Sequence, residues 1–540
     1  MKKVAALILA FSLVLSLAAC SGNNNASSGG TASGAAPETS SGTKGNADAQ
    51  MGGTLNIGTC SEVANTAAWM LRSDQDKMEW STVYESLFRL DDKGNVTPYL
   101  AESLKSDPKA LTYTITLRKD VTFSDGSHLN ADVLLWNFEN FKKNSQSSNT
   151  HFGDVKSFEK TDDNTVVIHL NEWNSQIPYS LCSVPGLMYS KQAFDTNGAK
   201  WCLTHAVGTG PFVLESWKTD SVKTFARNKN YWNKDKKIYL DTISVKVVPD
   251  EATAQAALMS GEMDVYQDGS YPFLNEMKAQ GFTRSKASIW YATNFLVFAS
   301  GVKDSPMANV KVRQAISYAI DSKTISTKLD NGMSFVDKEY AVEGTPFYND
   351  AVKGYGYDVE KAKALLKEAG YPNGFSTTLY TGNDLNLNNY MVAIQGYLAA
   401  VGIKAKLVYH DVAIWSSKTI FGIDDGMILC AHGFGSNLVN QAVSNFSQRA
   451  VKGVGMLKNS MIHPDDLNTS LMKALRATDT ETMLSNEKDA QEMIIDKYCL
   501  AYPVATDAYT WETVSPKVVD VNCFNSQNEF NDFSSIYFKK

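Results

Sequence analysis

Between residues 358 and 409 the chain switches periodicity abruptly, and this constrains its fold more than any other feature. Asp358 is placed to cap a helix over Val359 to Ala369, Gly370 ends that helix, and Pro372 blocks its continuation. A second helix, Tyr390 to Val401, stops at Gly402 and runs directly into a strand over Lys404 to Tyr409. Joints this short belong to layered α/β structures. The alternation recurs toward the amino terminus, with strands predicted over Gly53 to Thr59 and Val166 to Leu170. In Leu111 to Leu117, Thr112, Thr114 and Thr116 alternate with Tyr113, Ile115 and Leu117. Asn130 is a suitable N-cap for a helix over Ala131 to Phe141, where Val133, Leu134, Trp136, Asn137, Phe138 and Phe141 share one broad face.

The amino terminus reads as a targeting segment rather than as fold. Lys2 and Lys3 precede an apolar run from Val4 to Leu17, too short for the roughly 18 or more residues of a membrane span. Residues 1–19 are therefore expected to be a signal peptide. Leu17-Ala18-Ala19-Cys20 resembles the bacterial lipobox, which makes Cys20 the expected lipidation site. Ser21 to Gln50 is built almost wholly from Ser, Gly, Asn, Ala and Thr and has no means of packing a core, so 20–50 is read as a flexible, lipid-anchored linker.

With 540 residues, 43% hydrophobic and 11% aromatic, the remainder has material for two or more cores. The formal charge of −7, about −9 without Lys2 and Lys3, and the lack of a basic run argue against nucleic acid as a partner. Of seven cysteines, six remain beside Cys20, none in C-x-x-C spacing; a chain this long does not need disulfide staples, and buried thiols are an equal alternative. The motifs H-E-x-x-H, G-x-S-x-G, G-x-x-x-x-G-K-[ST] and G-x-G-x-x-G are all missing. Asp424-Asp425 and Asp465-Asp466 read as solvated turn residues rather than general acids, and no cofactor or metal is expected.

A series of ordered blocks carries a family resemblance. They begin with Val83 to Leu87, Gly94 and Pro98 to Ser103, followed by Thr112 to Val133 (TYTITLRKDVTFSDGSHLNADV) and Gly208 to Trp217 (GTGPFVLESW). Asn228 to Trp232 (NKNYW), Ala254 to Tyr266 (AQAALMSGEMDVY), Val310 to Asp321 (VKVRQAISYAID) and Tyr357 to Pro372 complete the series. Together these segments resemble the peptide/nickel-type extracellular solute-binding proteins of family 5. Locally each block reads as scaffold, so the resemblance bears first on fold.

The resemblance implies an α/β, two-lobed periplasmic-binding-protein-like fold of the large class II, cluster C type, with an extra β-rich subdomain in lobe I. Lobe I is expected over 51–300 plus 506–540, with the subdomain at 84–207, and lobe II over 301–505. It also implies a monomeric, non-enzymatic receptor on the extracytoplasmic face of the cell membrane. Such a receptor holds a small solute between its lobes and hands it to an ABC permease and ATPase complex. A peptide or peptide-like ligand is the first expectation, with a nickel or other metal chelate or an oligosaccharide as alternatives. A surface sensing or adhesion receptor and a hydrolase on this scaffold are the readings from other classes.

The segment Ile428 to Gly433 falls where peptide binders of this family carry a tryptophan and then an aspartate that pairs with the peptide ammonium. Leu429 and His432 stand there instead, and an imidazole is a poor anchor for a cation. His432 is open to three readings: a cleft-wall residue satisfied by backbone, a donor to an anionic or polar ligand, or a metal ligand. Glu62, Trp290, Tyr291, Asn294, Trp415, Cys430 and Phe434 complete the candidate ligand-binding set, the aromatic ones because flat rings bury much area at small entropic cost. Ala299 stands where the family often shows an asparagine at the interlobe crossing.

Overall fold

The computed structural model describes residues 49–540 except 64, 72–78, 92–93, 268, 285–290, 344, 383–384, 435–437, 450–455, 509–511, 520–522 and 524–530. The side chains of 291–292, 385–386, 412–413, 416, 432–434 and 507–508 are likewise outside the description. The expected signal peptide, Cys20 and most of the linker precede the described residues. No helix among the described residues is long and apolar enough to cross a membrane.

Three sheets organise the chain. A seven-stranded sheet runs in the spatial order Thr283–Arg284, Thr513–Val514, Val265–Tyr266, Thr54–Thr59, Thr242–Val247, Val222–Arg227, Phe212–Lys218. Its central strand Thr54–Thr59 is parallel to Thr242–Val247 and to Val265–Tyr266. A five-stranded sheet has the order Lys404–His410, Ser376–Gly382, Met427–Phe434, Tyr291–Phe298, Ala501–Ala508. The third sheet is four-stranded and antiparallel, in the order Ala101–Asp107, Thr112–Leu117, Thr165–Leu170, Val155–Asp162, within the expected subdomain. Its Tyr113, Ile115 and Leu117 are buried, as the alternation predicts, and they join the same apolar core as Leu55 and Ile57 of the seven-stranded sheet. The subdomain is therefore fused to lobe I through one core.

The five-stranded sheet is buried on both faces. Phe295 and Val297 enter one core cluster, whereas Leu296 and Phe298 enter another on the opposite side. Each such side chain contributes about 1.5–3 kcal/mol of burial, which is why the strand reads as an unbroken apolar run rather than as an alternating one. Helix Ala131–Asn144 starts at the predicted cap, with Asn130 Oδ1 accepting from Val133 N–H at 3.1 Å. Asn137, on its buried face, exchanges two hydrogen bonds of 3.0 Å with the backbone of Tyr189, so a polar side chain there costs nothing in unmet partners. Asp358 likewise caps helix Val359–Glu368 through Lys361 N–H at 2.9 Å.

The structure moves several expected boundaries. Tyr291–Phe298 pairs with Met427–Phe434 and with Ala501–Ala508, so this strand, expected in lobe I, belongs to the second sheet. Ala299 is fully buried with its N–H on Gly426 O at 3.0 Å, well inside lobe II rather than at a hinge. Toward the carboxyl terminus, Ala501–Ala508 still pairs in the second sheet, past the expected boundary at 506, and Thr513–Val514 pairs in the first. The linker ends before residue 50, because Ala49–Gln50 forms a short strand on Phe538 and Lys539. That dipeptide has no apolar pattern of its own, and only the returning carboxyl terminus supplies its partner. None of the described cysteines is disulfide-bonded, and Cys202, Cys430 and Cys499 are buried thiols.

Candidate functional site

The strand registers fix where a ligand can lie. In the first sheet Tyr266 is level with Gly58 and with Thr513, and Thr513 in turn is level with Arg284. Both crossings therefore leave the first sheet at the carboxyl ends of its parallel strands. In the second sheet, Gly382 is level with His410, and Tyr291 is level with both Phe434 and Ala508. The crossings enter that sheet at the carboxyl ends of its parallel strands too. Each lobe thus presents to the crossings the rim at which open α/β sheets bind ligands.

On the first rim, Glu62 follows the strand Thr54–Thr59, as expected, but its carboxylate is committed to the scaffold. Oε1 accepts from the Trp217 indole at 2.7 Å, Oε2 accepts from Asp220 N–H at 2.9 Å, and Lys223 Nζ lies 3.7 Å away. Burial pushes its pKa up, but these hydrogen bonds and the lysine charge outweigh burial and hold it below the ordinary glutamate range. Glu62, expected as a ligand contact, is thus engaged by three partners of the scaffold. Gln267, directly after Val265–Tyr266, is buried, and its Oε1 has no hydrogen-bond partner.

The second rim carries more of the predicted residues. Trp415 lies on helix Val412–Phe421, half-buried, with its ring flat against the backbone of Gly382; a Cβ added there would meet the ring at 3.0 Å. Among the described residues its indole Nε1 has no hydrogen-bond partner. His410, at the end of the neighbouring strand, stacks on Tyr380 at 5.8 Å and 10°, and its Nε2 is also without a hydrogen-bond partner. In the backbone ladder, position 432 is opposite Thr293, Thr293 is opposite Thr506, and Thr506 bridges to Phe335. Thr293 and Thr506 join hydroxyls at 3.0 Å.

Not every candidate belongs on this rim. Cys430 is wholly buried opposite Phe295, its thiol pushed up to about 12 by burial, and it is core rather than cleft wall. Asn294 is 8% exposed, set one residue further into the sheet than Thr293. The strand positions of Tyr291, His432 and Phe434 are at the rim, but their side chains lie outside the described residues, as does the whole of Trp290. His410 and Gln267 were missed, although both follow the ends of recognisable strands, and the carboxyl-end rule applied to sequence would have found His410. Among the described residues no group of His, Cys, Asp and Glu could hold a metal ion.

A family model for bacterial extracellular solute-binding proteins, family 5 Middle, matches residues 95–427. The chain is 29% identical over 456 residues to Heme-binding protein A of Haemophilus influenzae, covering 78% of this chain and 81% of that protein. It is 32% identical over 335 residues to the Glutathione-binding protein GsiB of Salmonella typhimurium, spanning 61% of this chain and 64% of the relative. Among solved structures it is similar to the ABC transporter-associated periplasmic binding protein DppA from Helicobacter pylori in complex with the peptide STSA. The TM-score there is 0.78 at 24% identity, with 91% of this chain and 99% of that one covered. With more than half its length matched, two lobes and rims that meet at paired crossings, the chain belongs to the bacterial extracellular solute-binding proteins of family 5, which are transport binding proteins and not enzymes.

Proposed function

We propose that this chain is the lipid-anchored capture component of an ABC importer, tethered through Cys20, and that it takes a peptide or peptide-like solute between its two rims. The observation that carries the solute class is the indole N–H of Trp415, buried at the second rim with no hydrogen-bond partner among the described residues. An unmet donor beside a flat ring fits a ligand that brings both a carbonyl or carboxylate oxygen and an apolar side chain. His410 Nε2 offers a second polar contact on the same rim. The first rim's carboxylate is already committed, so this reading does not depend on an ammonium anchor at Glu62. Relatives named for glutathione and for heme, and a structure holding the peptide STSA, support a carbonyl-bearing solute.

The test is a thermal-shift screen of residues 45–540, keeping Ala49–Gln50 in its sheet, against glutathione, di- to hexapeptides, heme, Ni(L-His) and oligosaccharides. A ligand at a hundredfold excess over its Kd stabilises the folded state by about 2.7 kcal/mol. Peptide-like solutes are expected to raise the melting temperature, and Trp415→Phe, which keeps a ring but removes the N–H, to weaken binding about 3- to 10-fold. Stabilisation by Ni(L-His) or sugars alone would assign the rim to a chelate or saccharide instead.

A further inference from the structure

The lobes also touch each other away from the rim strands, and that contact is built from charge. Asp154 links helix Ser148–Phe152 to strand Val155–Asp162 in the subdomain of lobe I, and its side chain is 7% exposed. Two guanidinium groups of lobe II fork onto its carboxylate: Arg449 through Nη1 and Nη2 at 3.0 and 3.1 Å, and Arg476 at 2.8 and 2.9 Å. Asn174 Nδ2 adds a fifth donor at 3.0 Å. Arg476 also pairs with Glu172 and donates to Trp173 O at 2.7 Å. Both acids come from lobe I and both arginines from lobe II, so the quartet is neutral only when the lobes are together.

Backbone contacts frame the quartet. Ser175 N–H donates to Leu475 O, and the Trp173 indole donates to Ala477 O, each at 2.9 Å. Gly153 lets Arg449 pass over the subdomain backbone, since a Cβ there would come within 3.1 Å of Nη2. Paired guanidinium forks on one carboxylate are among the strongest contacts a protein makes, and here they run directly from one lobe to the other. Burial alone would push the Asp154 pKa up, yet hydrogen bonds and charge from Arg476 and Arg449 hold it below the usual carboxylate range.

We propose that Asp154, Arg449 and Arg476 form an interlobe latch that holds the two lobes closed without a contribution from ligand. The inference rests on this contact and not on the identity of the solute. A closed state favoured in the empty protein raises apparent affinity for whatever the rims accept, because less of the binding energy goes into closing the lobes. Arg449 and Arg476 are 34% and 21% exposed, so salt should loosen the latch.

The test uses the ligand-free full chain. Hydrogen exchange reads the Ser175 amide, which only a lobe II carbonyl covers, and small-angle X-ray scattering reads the radius of gyration. At low salt the unsubstituted chain is expected to be compact and protected at Ser175. Asp154→Asn or Arg476→Met should enlarge the radius and speed exchange at Ser175 at least about tenfold, while the amides of Phe295 to Val297 keep their protection. The double variant should exchange no faster than either single one. Should a variant lose protection in the core strand as well, 1 M salt on the unsubstituted chain decides: selective acceleration at Ser175 supports the latch. Unchanged exchange in Asp154→Asn or in 1 M salt, or an expanded unsubstituted chain at low salt, overturns it.

Discussion

Glu62 separates a ligand contact from a scaffold carboxylate, and replacing it tests that assignment. The carboxylate accepts from the Trp217 indole at 2.7 Å and from Asp220 N–H at 2.9 Å, and Lys223 is 3.7 Å from it while also pairing with Glu79 at 2.9 Å. Hydrogen bonds to a charged group are worth about 1.5–3 kcal/mol each. Glu62→Ala removes two of them, but the one from Asp220 N–H is exposed, where water replaces it, and Lys223 keeps its second acid, so the net loss is about 2–4 kcal/mol. In a cooperative unit of about 150–250 residues each kcal/mol moves the melting point by about 2–4 °C, which makes a drop of about 6–12 °C for a mid-range loss. Glu62→Gln keeps one acceptor oxygen and should lose about half as much. Because the folded-state pKa is depressed, this stabilisation is fully present above the ordinary glutamate pKa near 4.5 and fades as pH falls through the lower folded value. Calorimetry of both variants between pH 3 and 7 reads all of this, and the temperature increment given by a saturating ligand should match that of the unsubstituted chain. A melting point within about 1 °C of the unsubstituted chain, together with loss of the ligand increment, would refute the scaffold assignment.

Two further predictions concern lobe II. Arg313, 1% exposed, donates to four backbone carbonyls, those of Met307, Ala308, Tyr498 and Cys499, so Arg313→Met should destabilise this lobe by about 3–5 kcal/mol in urea unfolding; a loss under about 1 kcal/mol would show those carbonyls find other partners. Glu487 is fully buried, with neither carboxylate oxygen hydrogen-bonded among the described residues, and burial followed by the charge that the neighbouring Glu339 would carry raises its pKa to about 8. A raised carboxyl pKa gives stability that is complete below about pH 4.5 and is lost as pH rises toward 8; Glu487→Gln should flatten that decline, and an equally steep decline in the variant would place its origin elsewhere.

The scaffold was legible where local chemistry and tertiary packing agree. Asn130 and Asp358 cap helices as their side chains and spacing predict, and the turn at Gly402 leads into the strand Lys404–His410. Helix Leu385–Ala400 starts five residues before its expected first residue, Tyr390, because the asparagine-rich Leu385 to Asn389 reads as a turn while burial of Leu387 fastens it to the core. The lobe boundary was misplaced for a related reason. An apolar strand such as Phe295 to Phe298 shows that it is buried on both faces but not which sheet buries it, and only the ladder to Met427–Phe434 decides that. Cys430 lies two residues deeper in the sheet than position 432, opposite Phe295 rather than Thr293, and depth along a strand has no periodic signal in the sequence.

The division of labour between the rims follows from which polar groups are already taken. At the first rim Glu62 is held by three partners from its own lobe, and Lys223 is 3% exposed between two acids. Charges tied up in this way give lobe I a rigid wall but little freedom to reorganise around a ligand. At the second rim the Trp415 indole and the His410 imidazole each keep one nitrogen without a partner. A buried polar atom left unmet costs about 1–3 kcal/mol, and a ligand that satisfies it recovers that amount in addition to its own contacts. The first rim keeps one such atom, Gln267 Oε1, against two at the second, so selectivity among carbonyl-bearing solutes should be set more by lobe II than by lobe I. If the latch at Asp154 already favours closure, those few kcal/mol go into discriminating one solute from another rather than into moving the lobes.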